Sequence, residues 1–264
     1  MWLKSATQRP LGPQRQPSLV HKDIICVHTM VGYLKSTERM FEVNGYTGTE
    51  SHVGIGGKWG TDAAAGLDGV AWQFQDDNHT ADANYEGSWH ILSIETADNA
   101  PQHPEDIEPW TPKQVDKLVE VIVEWCLLYD IPPVLIPDTK PGRRGLAYHY
   151  QGVPPNLVRG GELWSKAGHT CPGPVRVKQF IREVIPRVKE GVEGHMPLNK
   201  DDLKSIRELI IDVLRTERII PNLPVVEGEP QSKNWTTTEV QAADDRKLDT
   251  IIRMLKEQVK KDET

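Results

Sequence analysis

The chain has 264 residues, with 38 acidic against 31 basic side chains; a net charge of −7 gives no electrostatic reason to bind nucleic acid. No stretch approaches the roughly 20 apolar residues that cross a bilayer, so no membrane partner is expected either. Three cysteines, an odd number at wide spacing, make no disulfide framework.

In chain order, residues 1–22 are rich in Pro, Gln and Arg and read as an irregular N-terminal arm. The arm is basic but lacks the apolar centre of a secretory signal. Ile24-Ile25-Cys26-Val27-His28 is β-branched and bounded by polar residues, which predicts a buried central strand. Residues 36–43 suit a short helix, with Leu34, Thr37, Met40 and Phe41 at helical spacing. Residues 51–57 and 70–75 read as strands separated by a Gly/Ala-rich turn at 60–69, and 90–96 (HILSIET) as a further strand. The clearest helix covers 112–129. Thr111, Pro112 and Gln114 form a capping-box pattern, and Val115, Leu118, Val119, Ile122, Cys126 and Tyr129 follow on one face.

Residues 131–145 contain four prolines and predict a loop or short strand. Residues 174–189 predict a second amphipathic helix, with Val177, Phe180, Ile181, Val184 and Val188 inward and Pro186 weakening its last turn. Beyond Gly194 the pattern changes to a helix over 199–217, a Pro-containing linker and a last helix after Thr236. The expectation is an α/β protein with a central mixed β-sheet flanked by helices and a C-terminal helical tail. Its parts are an arm (1–22), an α/β domain (23–191) and the tail (192–264), which packs on that domain or joins copies into a homo-oligomer.

The chemistry-bearing residues are few. His28 ends the first core strand, His149 follows a Gly/Pro turn, and Cys171 lies in the loop entering a helix. Two imidazoles and a thiolate suit Zn²⁺, and three protein ligands leave a fourth position open, as catalytic zinc sites do. Equally, the spacings are long, and if no metal is involved His28 and Cys171 read as core residues and His149 as a surface loop residue. Glu95 ends a core strand, where a carboxylate is costly to bury without a purpose; general base catalysis would supply one, and otherwise it reads as a carboxylate at a solvated strand end. His52 reads as core or as a cleft residue, and His79 as a loop residue facing solvent or substrate. Trp72, Trp89, Trp110 and Trp164 read as core or as stacking platforms for sugar rings. Cys26 and Cys126 read as packed hydrophobes.

Several motifs fall together in a familiar order: Ile24–Thr29 (IICVHT), Ser51-His52-Val53, Ser93-Ile94-Glu95-Thr96, Tyr148-His149 and Thr170-Cys171-Pro172-Gly173. Over roughly residues 8–190 the chain resembles the zinc-dependent N-acetylmuramoyl-L-alanine amidases of the amidase-2 type, related to peptidoglycan recognition proteins. Within that family it is most similar to endolysins of phages infecting actinobacteria. The resemblance implies Zn²⁺ held by His28, His149 and Cys171, with Glu95 as general base and His169 stabilising the oxyanion if the pocket keeps it charged. The implied substrate is bacterial peptidoglycan, cut between the muramic acid lactyl group and L-Ala of the stem peptide. The implied location is the host bacterial cytoplasm, without a signal peptide, with action on the wall after release.

Two departures stand out. A Tyr that assists catalysis in some relatives is Ser51 here. The usual Gly-His-Arg-Asp around the second ligand is Tyr148-His149-Tyr150-Gln151. Two other readings remain: a peptidoglycan-binding module without catalysis, and a cysteine hydrolase using Cys171 with His169 or His149.

Overall fold

The computed structural model describes residues 1–10, 16–43 and 51–195, which fall within one compact unit, Met1–Met196. The two helices expected in the tail lie outside the described residues. Six strands form one mixed sheet: β1 (Thr7–Gln8), β2 (Ile24–Thr29), β3 (Val53–Ile55), β4 (Ala71–Gln73), β5 (Ile91–Thr96) and β6 (Gly145–Tyr148), in the order β1-β4-β3-β5-β2-β6. β6, β2, β5 and β3 are parallel, β4 runs antiparallel to β3, and β1 is parallel to β4. This is the mixed sheet flanked by helices that the sequence led us to expect.

Alternation along the strands separates the two faces. Ile25 and Val27 on β2, Leu92 and Ile94 on β5, and Leu146 on β6 join the main core. That face is covered by α3 (Pro112–Tyr129), through Val115, Leu118, Val121, Ile122 and Trp125, and by the C-terminal helical run. α3 begins with the expected capping box: the Thr111 hydroxyl accepts from the Gln114 N–H, and the Gln114 side chain accepts from the Thr111 N–H. The opposite face carries Ile24, Cys26 and Ile91 with Ala147 and Trp164. Beside it α1 (Leu34–Val43) packs Leu34 and Phe41 on Phe74.

Three local expectations need correction. The 60–69 stretch holds a short helix, α2 (Gly60–Ala65), ended by Gly66 in the left-handed conformation. Ile181 points outward, 42% exposed, because Phe180 already fills the inward position. Pro186 does not fall in a last turn, because the helix continues beyond it to His195. The run passes from α4 (Pro174–Gln179) through a π-turn at Phe180–Val184 into α5 (Ile185–His195). Pro186 lacks an N–H and its ring crowds the preceding turn; widening the ladder just upstream accommodates it while Val184, Val188 and Val192 stay on the core. The described part of the N-terminal arm is irregular, as expected, apart from the two-residue β1. Leu3 and Leu19 are buried, β1 extends the sheet, and the Lys4 and Ser5 N–H groups donate to the Glu124 carboxylate on α3.

Candidate metal centre

Because β2, β5 and β6 run in parallel, their carboxyl ends open on one crevice, the usual place for a site in such sheets. His28, next to last on β2, lies in register with Glu95, next to last on β5. His149 directly follows β6 in a short 3₁₀ turn, His149–Gly152. Cys171 reaches the same point from the loop before α4, fastened by the Tyr150 N–H donating to the Cys171 carbonyl at 3.0 Å. One ligand atom each from His28, His149 and Cys171 lies within 4.8 Å of the others, and all three residues are buried. Among the described residues this is the group of His, Cys, Asp or Glu side chains placed to hold a metal ion.

The hydrogen bonds made by the outer ring nitrogens decide which atoms face the centre. His28 Nε2 meets Asn84 Oδ1 at 3.2 Å, and Asn84 is oriented by donating its Nδ2 to Cys26 Sγ at 3.4 Å. The His28 Nε2 therefore carries the proton and Nδ1 offers its lone pair. His149 Nε2 donates to the Trp164 carbonyl at 3.0 Å, leaving His149 Nδ1 buried without a hydrogen-bond partner. The Cys171 Sγ accepts from the Thr29 N–H at 3.1 Å. Burial, more than any other cause, holds both histidines below their ordinary range, His149 at about 4, so both are neutral donors. Two neutral imidazoles with inward lone pairs and a thiol form a borderline-soft set that fits Zn²⁺.

Glu95 lies 3.8 Å from His28 Nδ1 through Oε1, while its Oε2 is buried and unpartnered. Burial, reinforced by the Asp98 charge and opposed by Arg176, raises its carboxyl to about 8. His169 is half-buried with its ring 4.7 Å from that of His149. Burial, then the Lys166 charge, lowers its pKa, so the pocket does not keep this imidazole charged.

Both departures from the family pattern acquire partners. Ser51 is buried and donates to the Val53 carbonyl. Gln151 donates to the Ile136 carbonyl and accepts from the Tyr148 N–H, closing the turn that carries His149. His52 is core: it accepts from the Ser93 N–H at Nδ1 and bonds the His79 carbonyl through Nε2. Trp110 and Trp164 are buried, whereas Trp89 is 49% exposed and stacks on His90. Cys26 and Cys126 are packed as expected.

Sequence reasoning did not single out Asn84, Thr29 or Arg176. Arg176 is fully buried and donates to the Thr29 and Thr96 hydroxyls and to the Ala97 and Glu108 carbonyls. The Thr29 hydroxyl in turn donates to Asp98. This network ties the ends of β2 and β5 together and fixes the Thr29 N–H against Cys171. No local signal marks these residues, since the partners lie up to 147 positions apart.

No protein-family model and no curated protein matches the chain. Among solved structures it is similar to the N-acetylmuramoyl-L-alanine amidase LysC from Clostridium intestinale (13% identity, TM-score 0.45, covering 67% of this chain and 94% of that one). It is also similar to the hydrolase AmiA of Staphylococcus aureus (10%, TM-score 0.48, 73% and 85%). A third similar structure is PGRP-SA of Apis mellifera (11%, TM-score 0.45, 67% and 95%). At these scores the function of this chain has to be read from its own residues.

Proposed function

We propose that this protein is a zinc-dependent peptidoglycan amidase of endolysin type. It hydrolyses the amide between the lactyl group of N-acetylmuramic acid and L-Ala of the stem peptide. The observation that carries the reading is the convergence of the His28, His149 and Cys171 donors beside the Glu95 carboxyl, one oxygen of which is buried and unpartnered. Zn²⁺ bound there supplies Lewis acidity, enough to make water a nucleophile near neutral pH and to polarise a carbonyl.

The chain's own residues do the rest. His28 and His149 present Nδ1 because Asn84 and Trp164 engage their other nitrogens. Glu95 takes the proton from the attacking water and returns it to the leaving amine, its Oε2 being free of any other hydrogen-bond partner. His169 donates an N–H as a neutral imidazole toward the developing oxyanion. We place its action at the cell wall, after release from the host bacterial cytoplasm.

A cysteine nucleophile needs a depressed pKa and partial exposure. Cys171 is 6% exposed, and burial pushes its thiol well above the ordinary range. A purely binding module has no use for Glu95 in this position. Digestion of purified peptidoglycan tests the reaction. The expected products are new L-Ala amino termini without new reducing ends, lost in His28→Ala together with the zinc. Reducing ends from the pure protein, or full zinc occupancy in His28→Ala, would refute the assignment.

A further inference from the structure

The two acceptors that orient the histidines belong to separate segments, and those segments are joined at the surface. Asn84, facing His28, lies in the turn Asp82–Gly87. Trp164, facing His149, lies in the loop before Cys171. Between them stands Glu86, an exposed residue that bonds Leu163 twice: its N–H donates to the Leu163 carbonyl at 3.1 Å, and its carboxylate accepts from the Leu163 N–H at 2.7 Å. Gly87 packs directly under the Trp164 indole, where a Cβ would come within 2.6 Å of Nε1. Just beyond, His90 meets the Glu162 carboxylate at 2.8 Å.

The chain adopts an unfavourable conformation to make this join. Tyr85 sits at φ 38°, in the left-handed region that a bulky side chain avoids. That reversal sends the Asn84 side chain inward to His28 and the Glu86 side chain across to Leu163. Strain of this kind persists only where surrounding contacts hold it, and it gathers at functional sites.

We propose that Glu86 is a positioning residue of the metal centre. By pinning 84–88 to 162–164 it sets the acceptors of His28 and His149 as one unit, so both Nδ1 atoms present together. The inference rests on the metal reading above and adds to it a residue that touches neither metal nor substrate. Because Glu86 is exposed and makes its side-chain bond to a backbone N–H, its removal should leave the fold intact.

The test uses the full chain and two readouts that do not depend on activity: zinc affinity by competition with a chromophoric chelator, and the visible absorption of the cobalt-substituted protein. Glu86→Ala should bind zinc about tenfold to a hundredfold more weakly and shift the cobalt spectrum, as loss of outer-shell support does. Glu86→Gln keeps an acceptor for the Leu163 N–H and should restore both. In an Asn84→Ala background the Glu86→Ala change should cost less than it does alone, since part of its route to the metal is already gone. Unchanged affinity and spectrum in Glu86→Ala would overturn the inference, as would a Gln variant as impaired as Ala. Wild-type protein that binds neither metal would refute the metal reading itself, and this inference with it.

Discussion

Glu95→Gln should make the zinc-free protein more stable while removing its activity. The carboxyl is held at about 8 against an ordinary value of 4.5, chiefly by burial and then by the Asp98 charge. A carboxyl raised in the folded state contributes its full stability below the lower value and loses it as pH climbs through the higher one. Each pH unit between the two values is worth about 1.4 kcal/mol, so the wild-type chain carries a penalty of up to roughly 3 kcal/mol at pH 7 and close to 5 above pH 8. Gln is nearly isosteric and never ionises, so it escapes that penalty. The assay is denaturant unfolding of both zinc-free proteins at about pH 5, 7 and 9, where shared groups cancel in the difference. The stabilisation by Gln should be near zero at the lowest pH and grow with each step. In the zinc-loaded enzyme the same variant should turn over about 10²–10⁴-fold more slowly. A difference that stays flat with pH would refute the claim that burial confines this carboxyl.

Two further substitutions probe the supports of the site. Gly152→Ala would place a Cβ within 2.3–2.7 Å of the Trp164 side chain, displacing the residue whose carbonyl orients His149; it should cost about 1–3 kcal/mol and weaken zinc binding, both readable by melting with and without chelator. His52 is held at about 4, against 6.5, by burial, so it lends stability above the higher value that is lost as pH falls toward the lower. The acid loss of stability, followed by unfolding between those limits, should be smaller in His52→Asn by up to about 3 kcal/mol; equal losses in both proteins would contradict this.

Much of the frame was legible because its signals are local. The Thr111–Gln114 box and the inward residues after it announce α3, and the β-branched runs at 24–28 and 91–96 announce the two strands that carry His28 and Glu95. The anchoring of the arm was not legible, because it depends on two isolated buried residues, Leu3 and Leu19, that no periodicity marks. Ile181 misled because its neighbour Phe180 already takes the inward position, while Val184 and Val188 stay inward as their spacing predicts. At the site, residue type revealed the donors but not their supports. Asn84 meets His28 across 56 positions and Thr29 meets Cys171 across 142, contacts that only the sheet order creates.

The central claim is that His28, His149 and Cys171 hold a zinc ion on which hydrolysis depends. It is tested most directly by metal analysis of the purified full chain, paired with peptidoglycan digestion before chelation, after chelation and after zinc is restored. The account predicts one zinc per chain, release of L-Ala amino termini that stops on chelation, and recovery when zinc is returned. Digestion that continues undiminished in chelated, metal-free protein would contradict it.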